Sequence, residues 1–154
     1  SSAASDVYKR QGQVGMITKF NRAPLPKYEN TLAYMKATGQ APLEDQEMMT
    51  FATWLRINKI PFSHVANERV ASVQYKKKLK AMGTSAGFPD MLVFLPSKIV
   101  FVEMKRAKKS LSRVSDEQED WIDTINCYGY ARAKVCYGSG EAIDFIKSEL
   151  GRTR

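Results

Sequence analysis

Apolar residues recur along much of the chain with a spacing that predicts helices. Negative charge at residues 44–47 suits the positive end of a helix dipole. Met48, Phe51 and Leu55 then share one helical face, which predicts an amphipathic helix. That helix is predicted to end at Asn58. Further helices are predicted at residues 73–82, from the capping-box pattern of residues 115–118 to Gly129, and at residues 141–150.

Continuous apolar runs in the second half of the chain predict strands. Residues 91–95 and 99–102 are rich in branched and aromatic side chains, and the Pro-Ser-Lys segment between them predicts a hairpin turn. Because both faces of each run are apolar, we expect central strands in a covered sheet. Residues 62–66 and 131–137 predict two more strands. The order α-β-α-β-β-α-β-α indicates an α/β or α+β domain with a mixed sheet flanked by helices.

The chain divides into a patterned domain and an unpatterned lead-in. Residues 42–150 carry nearly all the predicted elements and form one domain of ordinary size. Residues 12–41 hold two prolines, Pro24 and Pro26, and no sustained period, which predicts an irregular arm with one short helix at residues 28–35. Residues 1–11 contain the string DVYKRQ, which matches an in-frame translation of a library-preparation adapter, so we expect this segment to be non-native. Residues 151–154 are a predicted tail.

The charge balance favours a polyanionic partner. The 154-residue chain has 24 Lys and Arg against 16 Asp and Glu, a formal net charge of +8. Nucleic acid is the usual partner, and an anionic membrane surface is the alternative, although no basic amphipathic helix of the required kind supports it. No apolar run approaches the roughly 20 residues that span a bilayer. Cys127 and Cys136 are too few for a disulfide framework, so we expect reduced thiols in a cytoplasmic protein.

Three ionisable residues interrupt the predicted hairpin. Asp90 opens its first strand directly after Pro89, while Glu103 and Lys105 lie near the end of the second. Because side chains alternate along a strand, Glu103 and Lys105 project from the same side. A turn centred between the two apolar runs would set Asp90 opposite Glu103, with β-carbons about 5 Å apart.

Two carboxylates that close repel each other unless a cation compensates their charge. Hard oxygen ligands suit Mg²⁺. Lys105 would position or deprotonate the attacking water, or stabilise negative charge in the transition state. Phosphodiester hydrolysis needs such a set of groups. The alternative is a surface Glu–Lys pair at the end of a hairpin, with no role in chemistry.

The residues around this set resemble those of a known nuclease family. Pro89-Asp90 followed by Glu103-Met104-Lys105 looks like the PD-(D/E)xK motif. Over residues 42–150 the chain resembles the VRR-NUC (virus-type replication-repair nuclease) family in its small stand-alone form from phages and bacteria. The wider matching string is Gly83, Gly87-Phe88-Pro89-Asp90-Met91, Phe101-Val102-Glu103-Met104-Lys105-Arg106, Gln118, Trp121-Ile122, Gly129-Tyr130 and Val135-Cys136-Tyr137-Gly138.

The resemblance implies a restriction-endonuclease-like core, dependence on Mg²⁺ or Mn²⁺, and cleavage of branched DNA in a bacterial or phage-infected cell. It also implies a homodimer, because the stand-alone members are similar to Holliday-junction resolvases, whose substrate has two-fold symmetry. Two alternatives stay open. One is a nuclease of the same fold that prefers flaps, single strands or duplex DNA, and the other is a nucleic-acid-binding module without catalytic activity.

The resemblance also implies roles for individual residues of the motif. Asp90 and Glu103 would bind the metal, with the backbone carbonyl of Met104 nearby. Lys105 would be the catalytic lysine.

Four residues outside the motif are further candidates. The family places a glutamate on its first helix, where Glu44 fits the spacing best and Glu47 is the fallback; complementing the helix dipole is the alternative for both. Gln118 matches a family glutamine, although it also fits a capping box. Asn67 lies where relatives carry an asparagine near the scissile bond, although an asparagine in a turn needs no function.

A basic loop directly follows the predicted lysine. We expect Arg106, Lys108, Lys109 and Arg113 to contact the phosphate backbone of DNA. Residues 76–80 contain four more lysines, which cannot all share one helix face, so they predict a solvated surface.

Overall fold

The computed structural model describes residues 39–65 and 72–151. Several expectations concern positions outside the described residues. These are the non-native segment 1–11, nearly all of the arm 12–41 with its short helix at 28–35, the strand position Ala66, the candidate Asn67 and the tail after residue 151.

The described residues form helices and strands in the predicted order. Strand β3 continues three residues past its predicted end, because its pairing with β4 runs to Lys105. The last helix begins two residues earlier than predicted, at Ser139. The elements are α1 (Glu44–Ile57), β1 (Phe62–His64), α2 (Val73–Ala81), β2 (Met91–Leu95), β3 (Lys98–Lys105), a 3-10 turn (Lys109–Leu111), α3 (Asp116–Asn126), β4 (Ala131–Tyr137) and α4 (Ser139–Gly151).

The four described strands form one mixed sheet in the order β1-β2-β3-β4, which confirms the predicted class. β2 pairs antiparallel with β1 and with β3, and β3 pairs parallel with β4. The hairpin is confirmed, because Leu95 pairs with Lys98 across the two turn residues. Helix α3 provides the crossover that a parallel pair requires.

The larger core lies on the face of the sheet that α1 and α4 cover. Phe51 and Leu55 of α1 and Ile146 of α4 pack there against Val93 and Val102 of the central strands. Burying this apolar surface, at about 25 cal/mol for each Å², is the main stabilising term for the sheet. Neither described range contains a helix long and apolar enough to cross a membrane.

The second face of the sheet is covered unevenly. Helix α3 packs Trp121 and Ile125 near Phe101 and Ala133, so β3 and β4 are covered there. Phe94 of β2 lies on the same face and is 43% exposed. The predicted cover on both faces therefore holds for β3 and is incomplete for β2. Both cysteines are free thiols, as predicted.

Candidate active site

The two predicted carboxylates face each other where β2 begins and β3 ends. Met91 pairs with Val102, so one further step of the register sets Asp90 opposite Glu103. Both side chains are buried, with 9% and 2% of their surface exposed. Oδ2 of Asp90 accepts a hydrogen bond of 3.0 Å from the backbone N–H of Met104. This bond fixes the Asp90 carboxylate to the strand that carries Glu103.

Lys105 completes the predicted set on the same face of β3. Its Nζ lies 2.9 Å from Oε1 of Glu103, and both side chains are nearly excluded from solvent. The backbone carbonyl of Lys105 accepts a hydrogen bond of 2.9 Å from the N–H of Gly138. The end of β3 is thus held by β4, which keeps the lysine beside the two carboxylates.

Gln118 forms the predicted capping box and also contacts Glu103, while its catalytic role stays a prediction. Its Oε1 accepts a hydrogen bond of 3.0 Å from the backbone N–H of Ser115, and its own N–H donates one of 3.3 Å to the Ser115 hydroxyl. Because Oε1 is engaged in this capping box, the amide NH₂ is directed toward Glu103, where Nε2 donates to Oε1. The helix cap therefore orients the side chain that reaches the site.

Burial and mutual repulsion shift the titration of the carboxylates. Loss of solvent, followed by the negative charge of Asp90, raises the pKa of Glu103 from 4.5 to about 7, and Lys105 opposes the shift. Burial is also the largest cause of the raised pKa of Asp90. The charge of Glu44 raises the pKa of both groups, so α1 contributes to the field at this site.

The pair fits a hard divalent cation. Oε2 of Glu103 is buried and has no hydrogen-bond partner, and such an oxygen is costly to bury unless it is protonated or bound to a cation. Mg²⁺ is usually held by one or two carboxylates and several waters. Among residues 39–65 and 72–151, no three Asp, Glu, His or Cys side chains converge as a ligand group. Glu44 as a ligand, like the carbonyl of Met104, therefore stays a prediction.

Arg106 has partners within the chain itself, at a position predicted to contact DNA. Its Nε and Nη2 each donate a hydrogen bond of 3.0 Å, to the backbone carbonyls of Pro42 and Ala41. Its backbone N–H donates to the Ser112 hydroxyl at 3.1 Å. The residue after the predicted catalytic lysine thus holds the segment that leads into α1.

Glu47, the fallback ligand, is buried and contacts the start of α4. Its Oε2 accepts a hydrogen bond of 2.8 Å from the backbone N–H of Ser139, at the first residue of α4. Gly138, directly before Ser139, has a φ of +86°, and a β-carbon there would lie only 2.9 Å from that of Ala107. Glu47 and Arg106 together fix the first turn of α1, which carries Glu44.

Gly87 brings the loop before Asp90 against the first turn of α3. Its φ is +77°, and a β-carbon would lie 2.5 Å from the carbonyl carbon of Glu117 and 2.7 Å from the nitrogen of Gln118. Nearby, Nε1 of Trp121 donates a hydrogen bond of 3.1 Å to the carbonyl of Ala86. Sequence reasoning missed this contact, for which a glycine before Phe-Pro-Asp was the available signal.

The remaining basic candidates lie on the surface beside the site. Lys108, Lys109 and Arg113 are exposed. Nζ of Lys109 lies 4.8 Å from the centre of the Tyr137 ring. Exposed His64 is close enough for its charge to lower the pKa of Asp90, against the larger effect of burial.

Comparison with known proteins identifies the fold and the family. A family model described as "VRR-NUC domain" matches residues 37–140, more than half of the chain. One similar solved structure, described as "VRR_NUC domain protein", has a TM-score of 0.57 and 19% sequence identity over 71% of this chain and 88% of its own. The comparison with curated proteins gives no match. At 19% identity the structural likeness shows the fold alone, and the family model carries the assignment. The chain therefore belongs to the VRR-NUC family and has its nuclease-type fold.

Proposed function

We propose that this protein is a metal-dependent endonuclease that hydrolyses phosphodiester bonds in branched DNA. One observation carries the proposal. The buried pair Asp90 and Glu103 leaves one carboxylate oxygen without a partner, while the other is held by Lys105 and Gln118. The buried carboxylate pair and the fixed ammonium of Lys105 thus lie together in a domain of a nuclease family, in a chain with a net charge of +8.

Asp90 and Glu103 would hold Mg²⁺ or Mn²⁺. A bound divalent ion supplies the positive charge that offsets the two carboxylates and withdraws electrons from the scissile phosphate. Asp90 is prepared for this role by the Met104 N–H, which fixes the orientation of its carboxylate. Gln118 does the same for Glu103, because its bond to Oε1 directs Oε2 away from the capping box.

Lys105 would act on the phosphate and on the attacking water. Its ammonium is buried, so its attraction for negative charge is weakly screened. The hydrogen bond to Glu103 holds it in one position, and a fixed charge needs no reorganisation as the transition state forms. Lys105 therefore supplies charge to the developing negative oxygens and a donor that orients the water.

Branched DNA is the substrate we favour because of the family and the surface charge. The exposed residues Lys108, Lys109 and Arg113 follow the site directly and would bind the phosphate backbone. A homodimer would present two such sites to a two-fold-symmetric junction. Flaps, single strands and plain duplex are the competing substrates.

The deciding experiment compares cleavage of a labelled four-way junction with flap, duplex and single-strand substrates in Mg²⁺, Mn²⁺ or EDTA. The variants are Asp90→Asn and Lys105→Met. Lys98→Met is a matched control, because Lys98 also lies on β3 and pairs at 2.9 Å with a buried glutamate, Glu149. Thermal unfolding checks that each variant is folded.

We expect metal-dependent junction cleavage that Asp90→Asn and Lys105→Met abolish and Lys98→Met retains. Cleavage of flaps or duplex in place of the junction would support the active site but contradict the preference for branched DNA. DNA binding without any cleavage would identify a binding module. Full activity of Lys105→Met would contradict the role given to the lysine.

A further inference from the structure

Helix α2 differs from the other three described helices because it buries none of its residues. Tyr75 is 41% exposed and Met82, which caps the helix, is 71% exposed. Most helices in proteins are stabilised by packing one face against the rest of the molecule. In α2 only Leu79 is partly buried, so nearly all of the helix surface is exposed.

The composition of α2 does not stabilise it either. The helix has nine residues, contains four lysines and has no acidic residue in its sequence VQYKKKLKA. Isolated helices shorter than about 12 residues are marginal in water. Lys76 and Lys80 stand four residues apart, where like charges destabilise a helix. The cap at Ser72, whose hydroxyl accepts a bond of 3.2 Å from the N–H of Tyr75, offsets only part of this.

Three of the four lysines share one face. At about 100° for each residue, Lys76, Lys77 and Lys80 fall within an arc of about 100°. Lys78 falls on the other side, near Tyr75. The ion pairs between described residues are made by other lysines, so no described acid neutralises this face. Here "lysine face" means Lys76, Lys77 and Lys80.

The chain holds the lysine face near the candidate site. Ala86 is fixed to α3 by its hydrogen bond to Trp121. Ala86 lies four positions after Met82 and Asp90 lies eight positions after it, which limits these Cα–Cα distances to about 14 Å and 28 Å. One turn of B-DNA is about 34 Å long. A duplex that has one phosphate at Asp90 and Glu103 and extends toward Met82 would therefore meet the end of α2 within one turn.

We propose that the lysine face of α2 binds the DNA phosphate backbone within one helical turn of the cleaved bond. DNA fits because its regularly spaced phosphates offset the repulsion between these lysines, which form no ion pair with an acid of the described residues. Contacts of this kind position a substrate and carry no base preference. The inference rests on the proposed function and adds to it a surface that the motif residues do not include.

The test measures how DNA affinity depends on salt. Fluorescence anisotropy of a labelled junction is followed in EDTA over a series of KCl concentrations, for the wild type and for Lys76→Gln with Lys80→Gln. The matched control is Lys78→Gln with Lys147→Gln, which removes the same charge from the other side of α2 and from α4. Cleavage in Mg²⁺ is measured in parallel over a series of DNA concentrations.

We expect the slope of log affinity against log salt to fall by about 2 in Lys76→Gln/Lys80→Gln, since each lost phosphate contact contributes about 0.9. The KM for cleavage should rise while kcat is kept. If the wild type binds and cleaves DNA but the salt slope of Lys76→Gln/Lys80→Gln is unchanged, this inference alone is overturned. Equal losses in both variants would also overturn it, because only net charge would then matter. A wild type that neither binds nor cuts DNA would overturn the proposed function and this inference together.

Discussion

The two oxygens of Glu103 have different surroundings. Oε1 accepts from Lys105 and Gln118, whereas Oε2 is buried and unpartnered. Without a cation, protonation is one way to relieve the cost of that buried charge. The folded protein therefore binds a proton at Glu103 more tightly than the unfolded chain does.

This difference predicts a pH-dependent stability in the absence of metal. The pKa of Glu103 is about 7 in the folded state, against an ordinary value of 4.5. Its favourable contribution is therefore complete below pH 4.5 and is lost as the pH rises toward 7. Urea unfolding in EDTA between pH 5 and pH 8 should show a falling free energy of unfolding. Glu103→Gln should flatten the dependence, and Mg²⁺ at pH 8 should stabilise only the wild type. Parallel pH profiles for the two proteins would contradict this explanation.

Ser115 should affect catalysis although it lies outside the motif. Ser115→Ala removes the hydroxyl that accepts from the Gln118 N–H, which should cost about 1 kcal/mol of stability. It should also lower kcat, because Gln118 loses part of the cap that orients it toward Glu103. Ser115→Thr keeps a capping hydroxyl and should retain kcat. Ser72→Ala removes the cap of α2 and is the control; similar kcat losses in both alanine variants would refute a positioning role.

At the residue scale, contacts between residues close in sequence could be predicted, and contacts between distant residues could not. Asp90 and Glu103 could be paired because one short hairpin joins them and its register follows from the turn. The partner of Arg106 lies 64 residues away, and that of Glu47 lies 92 residues away. Such contacts depend on how helices dock on the sheet, which local spacing does not specify.

At the scale of elements, strand limits depend on the neighbouring strand. The apolar run ends at Val102, yet β3 continues to Lys105 because β4 supplies parallel partners through Tyr137. The apolar sequence of β2 also did not predict that Phe94 is 43% exposed, because composition does not show whether a helix covers that part of the sheet. The order and types of the elements were predictable because helical spacing marks the helices and short apolar runs bounded by turn residues mark the central strands.

The approach of the Asp90 loop to α3 predicts a large effect of one added methyl group. Gly87→Ala would place a β-carbon 2.5 Å from the Glu117 backbone and strain a φ of +77°. Gly83→Ala strains a φ of +98° but meets nothing within 4 Å, so it isolates the strain. We expect about 1 kcal/mol of destabilisation for Gly83→Ala and clearly more for Gly87→Ala, which should also lose cleavage. Equal melting temperatures would show that the contact is unimportant.

At the scale of the whole molecule, the site depends on three separately docked parts. The β2–β3 hairpin carries Asp90, Glu103 and Lys105, α3 brings Gln118, and α1 adds the charge of Glu44. The family could be predicted from the motif string because those residues surround the site. The docking of α1 could not, because nothing in the local sequence showed that Arg106 holds the backbone before this helix.

The proposed homodimer predicts how two incisions are coupled. One chain has a mass of 17.4 kDa, so sedimentation should give 2 × 17.4 = 34.8 kDa. A junction with one strand cut remains bound to the second site, because the other phosphate contacts persist. Both incisions should therefore occur within one binding event. An excess of Asp90→Asn protein, allowed to exchange subunits with the wild type before DNA is added, should form dimers with one working site. Single-nicked junctions should then accumulate. If each junction binds only one 17.4 kDa chain, and both incisions are still coupled after mixing, then one chain acts alone.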